Sequence, residues 1–395
     1  MVTAGTGART AARGAELHVS LSTANDLPAI ERQWLALQDR ADCSFFQSWG
    51  WVGTWLSKLL PHSPPRLLEV KRGNDTVALG LLGSHVATRH GVVRSRQLCV
   101  TETGDPQFDA LTVEHNGLLV ERDHAAMVLP AVLSALARDD QRWDELVVSA
   151  LDETSEVPYL DAARTAGLIG RVRWRKPCFV VSSADVRANG GDYLATLSSN
   201  SRYQIRRALR EYAHSGPVAV TQAGEVAQAE QFFGEMVEIH QQYWRTRGQP
   251  GAFGSAFALD FHRQLVRARL AHGEVQLLRV SAGNELIGYL YNFCFRGTAS
   301  SYQSGFRYSS DPKLKPGLVA HCLAIQRHLE GGAQTYDLLM GRQQYKETLS
   351  TRQSQLSWLL LQRPRMRFRV EDALTVMADK WRARRTPAPP ANPIQ

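Results

Sequence analysis

A chain of 395 residues is longer than one hydrophobic core ordinarily serves, so two domains are expected. Hydrophobic residues make up 44% and charged residues 21%, the balance of a folded globular protein, and no run approaches the roughly 18 apolar residues of a membrane span. The net charge of +8 favours acidic partners: phosphorylated cofactors, nucleic acid or an anionic membrane surface. Five scattered cysteines (Cys43, Cys99, Cys178, Cys294, Cys322) lack metal-ligand spacing, so no metal is expected, and they point to a reducing cytoplasm. Residues 1–15 carry arginines without an apolar segment, which predicts a disordered leader rather than a secretory signal.

In chain order, a short strand at Glu16–Ser20 leads into a helix whose Leu27, Ile30, Trp34 and Leu37 share one face. Phe45, Phe46, Trp49, Trp51 and Trp55 follow within eleven residues. Such rings either line a pocket for a sugar or cofactor or, more often, form a core or interdomain helix. Strands are predicted over 66–71, 76–86 and 92–100, with Gly73-Asn74-Asp75 as a hairpin turn. A helix kinked at Pro130 (124–138), a strand (143–151), a helix (157–168) and a last strand (171–182) close one α/β unit.

The second unit, 183–362, opens with a helix capped at Ser199 or Asn200 and buried through Ile205, Ala208, Leu209 and Tyr212. Arg202, Arg206 and Arg210 recur every four residues beside Arg207, either to hold a phosphate or carboxylate or as a solvated face. A strand (217–222), two helices (227–248 and 257–273) and a three-strand meander (274–280, 285–295, 298–305) come next. The next helix has Pro316 in its first turn, Leu318, Cys322, Ile325 and Leu329 on one face, and Gly331-Gly332 as its stop. The strand Thr335–Met340 makes this a strand–helix–strand crossover, a polar turn carries Tyr345 and Lys346, and 355–362 is a final strand. Lys313 and Lys315 precede the crossover helix, whose N-terminus is suited to an anion, most simply a phosphate. Residues 363–395 form a basic tail: Arg363, Arg365, Arg367 and Arg369 alternate, Lys380, Arg382, Arg384 and Arg385 cluster, and 386–395 is Pro-rich.

Several stretches together, Asn200-Ser201-Arg202 through Arg206-Arg207, ELIGYLYNF, PGLVAHCLAIQRHLEGG and YDLLMGRQQYK, resemble GNAT acyltransferases of the CelD-like branch. That branch is found near bacterial cellulose and exopolysaccharide genes and is similar to the FemAB-type tandem GNAT transferases. The resemblance spans roughly residues 30–362 and is strongest over 190–350. It implies an α/β fold with mixed α+β sheets in two tandem GNAT-like domains, 16–182 and 183–362, the first degenerate because its helix 124–138 lacks a basic glycine approach. The usual spaced-glycine pyrophosphate loop is absent; the position reads DPKLKPG, with Gly317 alone.

The resemblance implies transfer of an acetyl group from acetyl-CoA to an amine or hydroxyl, with the pantetheine arm beside Gln303 and Ser304. The diphosphate would meet Lys313, Lys315, Gly317 and Leu318. Asp337 would orient or deprotonate the acceptor if it faces the cleft, or else be buried by hydrogen bonding. Tyr345 would protonate the thiolate, and His321 is the best general-base histidine. Arg202, Arg206, Tyr243, Trp244, Tyr302 and Lys346 would border the acceptor or bind its anionic groups. The expected acceptor is a sugar or sugar-nucleotide for surface polysaccharide, with peripheral contact to membrane-bound polysaccharide machinery. Two alternatives stand beside it: FemAB-like transfer from aminoacyl-tRNA, and a non-catalytic binding or assembly role.

Overall fold

The computed structural model describes residues 16–89, 91–139, 143–371 and Met377. The expected leader and the cluster Lys380–Arg385 lie outside those residues. The first half reads β1 (Leu17–Thr23), α1 (Leu27–Gln38), α2 (Trp49–Leu59), β2 (Arg66–Arg72), β3 (Asp75–Arg89), β4 (Val93–Val100), β5 (Leu119–Val120), α3 (Ala125–Arg138), β6 (Glu145–Asp152), α4 (Glu153–Thr165) and β7 (Ile169–Ser182). The second reads α5 (Ser183–Ala188), α6 (Ser199–Ala213), β8 (Val218–Gln222), α7 (Val226–Arg245), α8 (Ala256–Arg269), β9 (Val275–Ala282), β10 (Glu285–Phe295), β11 (Thr298–Phe306), α9 (Pro316–Glu330), β12 (Thr335–Met340), α10 (Gln344–Leu349) and β13 (Arg352–Gln362). The turn expected around Tyr345 and Lys346 is therefore the short helix α10.

All strands join one mixed sheet, ordered β1-β2-β3-β4-β6-β13-β7-β12-β11-β10-β9-β8, with β5 on β3. The join between the halves is made by exchange. The last strand of the chain, β13, lies between β6 and β7, antiparallel to both, and β7 in turn pairs with β12. The edges of β6 and β7 at the join are thereby covered, which removes the exposed-edge liability two separate sheets would carry there.

Period-two alternation sorts the strand residues onto two faces. Leu277, Tyr289, Tyr291 and Phe293 pack with α7, α8, α1 and α2 on one face. Leu278, Val280 and Leu290 pack with α6 and α9 on the other, where α3 and α4 cover the first half. The aromatic stretch belongs to the first face: Phe45 stacks on Phe293 at 4.5 Å, and Trp51 meets Phe261 edge-on at 4.8 Å. These rings are the core that welds the halves together, not the lining of the cleft described below.

Candidate active site

β11 and β12 run parallel and pair only over Thr298–Ser300 with Thr335–Asp337. Beyond that they part, and both strands show why. In β11, Ser301 pairs with Asn292 and Gln303 with Tyr291, so Tyr302 is an extra residue in a β-bulge that bends the strand. In β12, Leu339 has φ +61°, a costly conformation for a branched residue, and the register against β7 jumps between Asp337 and Met340. β12 follows β7 while β11 follows β10, leaving a wedge.

The wedge opens into a cleft of about 600 Å³. Gln303, Ser304, Gly305 and Phe306 of β11 form one wall, Pro316, Gly317 and Leu318 of α9 the floor, and Tyr345 and Thr348 of α10 the opposite wall. Tyr243 and Trp244 of α7 and Asn200 and Gln204 of α6 close the rim. The α9 N-terminus has no side-chain cap, and Lys315 lines the cleft beside it. Its first-turn N–H groups and the positive end of its dipole therefore face a space where an anion can sit. Gly317 is required for packing as well, because a Cβ there would lie 3.2 Å from the Phe306 ring.

Two aromatic walls are braced from behind. Tyr345 stacks on His321 at 4.7 Å and 12°, and burial pushes the Tyr345 phenol up, so it keeps its proton at neutral pH. Tyr243 stacks on Tyr308 at 5.1 Å and carries the Arg247 guanidinium 3.6 Å from its ring centre. His240, also in the cleft, is fixed in one tautomer by its partners. Its Nδ1 donates to the Ser304 carbonyl (2.9 Å) and its Nε2 accepts from the Ala252 N–H (3.2 Å), while burial lowers its pKa.

The closed end of the wedge is finished by a segment of the first half. Glu114 accepts from the Met340 N–H at 2.7 Å. His115, at φ +49°, lies between Asp152 (Nδ1, 2.6 Å) and Asp337 (Nε2, 2.8 Å). Lys346 Nζ donates to the carbonyls of Leu339 (3.3 Å) and Met340 (2.6 Å), groups that β12 exposes when it leaves the ladder. Burial works against the His115 imidazolium, but its bonds to Asp152 and Asp337 override it and raise its pKa well above the ordinary value. Asp337 shows the mirror effect: burial is overridden by His115, and its pKa is lowered. Glu114 is raised to about 7, first by burial and then by the Asp337 charge. Donor atoms of Glu114, His115 and Cys178 lie within 4.8 Å of one another, but both His115 nitrogens already serve carboxylates.

The structure thus brings Gln303, Ser304, Lys315, Gly317, Leu318, Tyr243, Trp244 and Tyr345 into one cleft. The other expected residues go elsewhere. Asp337 does not face the cleft; its Oδ1 accepts from the Leu339 N–H (2.7 Å) and its Oδ2 is held by His115. His321 is buried, its pKa lowered to about 3 by desolvation, and it acts as the backing of Tyr345 rather than as a base. Lys346 is buried on backbone carbonyls and is not among the residues that line the cleft. Tyr302 turns into the aromatic core, against Phe293 at 4.7 Å, because the bulge reverses its facing. Arg202 donates to the Leu197 carbonyl (2.6 Å), and Arg206 is exposed; the face of α6 at the cleft is Asn200, Ser201 and Gln204. Lys313 sits just outside the cleft, 3.8 Å from Glu211, in a recess shared with Arg207 and Lys315. Glu114, His115 and His240 carry no local sequence signal, since their partners lie far along the chain.

Residues 199–347 match the family model described as an acetyltransferase (GNAT) domain. No curated protein matches the chain. Among solved structures, FemX is similar with TM-score 0.55 and 10% identity, over 83% of this chain and 95% of that one. The C-terminal domain (DUF2156) of a lysylphosphatidylglycerol synthetase from Agrobacterium fabrum, named putative there, gives 0.53 and 12%, over 89% and 95%. L-PGS from Bacillus licheniformis gives 0.51 and 13%, over 86% and 93%. At these identities the likeness concerns fold alone. Residues 199–347 thus carry the GNAT acetyltransferase-domain fold, and their sheet continues into the first half of the chain.

Proposed function

We propose that the protein is a cytoplasmic acyltransferase that moves an acetyl group from acetyl-CoA to an amine or hydroxyl of a sugar or sugar-nucleotide used in cellulose or exopolysaccharide synthesis. The observation that carries this reading is the parting of β11 from β12 over an uncapped helix N-terminus, both opening into one cleft. Acetyl-CoA supplies the activated acyl carbon and a thiolate leaving group. The cleft suits it: the α9 amides and Lys315 meet the diphosphate, and the unpaired edge of β11 at Gln303–Gly305 lies along the pantetheine arm. Tyr345 holds the proton a departing thiolate needs. The proton released by the acceptor leaves to solvent through the open cleft. The aromatic rim of Tyr243, Trp244 and Tyr308 suits the apolar face of a sugar ring. The resemblance to the CelD-like branch supplies the choice of saccharide acceptor.

A second reading, transfer from aminoacyl-tRNA, is favoured by the recess of Arg207, Lys313 and Lys315 that adjoins the cleft and can take a phosphodiester backbone. Thermal stabilisation by acetyl-CoA, followed by thioester cleavage with amino sugars and sugar nucleotides, supports the first reading. Stabilisation by aminoacyl-tRNA alone would replace it with the second, and stabilisation by neither would leave a binding or assembly protein.

A further inference from the structure

We infer that the face formed by the β3–β4 hairpin and the segment after β13 docks on an anionic lipid bilayer. Residues 366–371 are helical, and so is Met377. The inner side of this segment is anchored: Phe368 and Glu371 are buried, with Arg89 Nε 3.0 Å from Glu371 and its guanidinium 5.2 Å from the Phe368 ring centre. The outer side is not covered. Met366 is 70% exposed, Val370 53% and Met377 66%, and Val92 at the hairpin tip is 79% exposed.

Met366 and Val370 lie one turn apart on the helical stretch 366–371, so they share one side of it, with Arg369 at its flank. An apolar stripe edged by cations is the pattern of a segment lying in the headgroup layer, where long basic side chains reach the phosphates.

A second feature of the same face is independent of that stripe. A recess of about 560 Å³ is lined by Arg94 and Arg96 from the hairpin and Arg363, Arg365 and Arg367 from the segment after β13, with Val86 between them. Asp144 is its acidic member and lies 3.7 Å from Arg365 Nε and 2.5 Å from Arg367 Nη2. The net positive charge of five guanidiniums around one carboxylate attracts phosphate-bearing headgroups.

Charge decides among occupants. A second copy would bring the same positive face, and RNA would satisfy the arginines while leaving the aliphatic stripe in water. Among the described residues no helix is long and apolar enough to cross a membrane, so the attachment is peripheral.

The test is co-sedimentation of the full chain with vesicles of equal parts phosphatidylcholine and phosphatidylglycerol, against pure phosphatidylcholine. Binding to the anionic vesicles is expected, weakened at high salt. It should fall at least about tenfold in Met366→Glu/Val370→Glu and in Arg94→Glu/Arg369→Glu, with circular dichroism unchanged. Absence of binding at low salt overturns the inference. So does binding that the Met366→Glu/Val370→Glu variant leaves intact, and so does retention by poly(U) RNA with none by vesicles.

Discussion

The sheet contains two parallel junctions, β4 beside β6 and β11 beside β12, which start alike and end differently. Each pairs over three residues, Gln97–Cys99 with Glu145–Val147 and Thr298–Ser300 with Thr335–Asp337. Each has a non-glycine residue at positive φ just past the last pair in the outgoing strand, Ala150 at +49° and Leu339 at +61°. In the first junction Asn116 fills the gap. Its N–H donates to the Ala150 carbonyl (3.1 Å) and its Nδ2 to the Val100 carbonyl (2.8 Å). In the second the strand ends border the cleft instead. The helices that follow differ in the same sense: the approach to α3, Glu121–His124, is mixed in sign, whereas Lys313 and Lys315 precede α9. A parting of strands leaves backbone groups that must be satisfied by the chain itself or by a ligand. The first half uses its own loop, and the two residues before Asn116 in that loop, Glu114 and His115, finish the closed end of the second wedge.

The largest effect expected from the open wedge is catalytic. Tyr345→Phe removes the proton held at the cleft wall while keeping the stack on His321. It should lower kcat for acetyl transfer by about 10²-fold with little change in KM. A comparable fall in a first-half residue outside the segment 111–116 would blur the distinction between the junctions.

At the sealed wedge the corresponding substitution is Asn116→Ala, which leaves the Val100 carbonyl without its buried donor. Urea unfolding should show a loss of about 1–3 kcal/mol, while the stabilisation given by acetyl-CoA is retained. Loss of ligand response at unchanged stability would mean that the first wedge, too, is a site.

A smaller effect is expected at the α9 N-terminus. Lys315→Ala removes one of the charges facing the diphosphate and should weaken acetyl-CoA binding about five- to tenfold by calorimetry, more at low salt than at high. Lys313→Ala, whose ammonium is turned to Glu211, should change it less.

A pH effect on stability completes the set. Glu114 is raised from 4.5 to about 7 on folding, so the stability its proton brings is fully present below 4.5 and lost as pH rises through about 7. Gln at this position can still accept from Met340 but does not titrate. The melting temperature of Glu114→Gln relative to the unsubstituted protein should therefore rise between pH 5 and pH 8. A flat difference would show that Glu114 is not buried beside Asp337.

Much of this was legible locally. Pro316, the apolar spacing of α9 and the Gly331-Gly332 stop fix that helix from neighbouring residues, and with it the anion-facing floor of the cleft. What escaped the sequence depends on register and distant pairing. Tyr302 and Gln303 were both expected in the cleft, but the bulge that separates their facing arises from the pairing with β10. Asp337 and Lys346 look catalytic by their position in the crossover; His115, 222 residues away, and the stray carbonyls of β12 claim them. The insertion of β13 between β6 and β7 leaves no mark on the apolar run 355–362, which reads as a buried strand in either half.

Amide hydrogen exchange of the full chain, with and without acetyl-CoA, addresses the contrast between the two wedges most directly. The account predicts slowed exchange at Gln303–Phe306 and Gly317–Val319, and unchanged rates across Gln97–Thr101. Protection at the first junction in place of the second, or at neither, would contradict it.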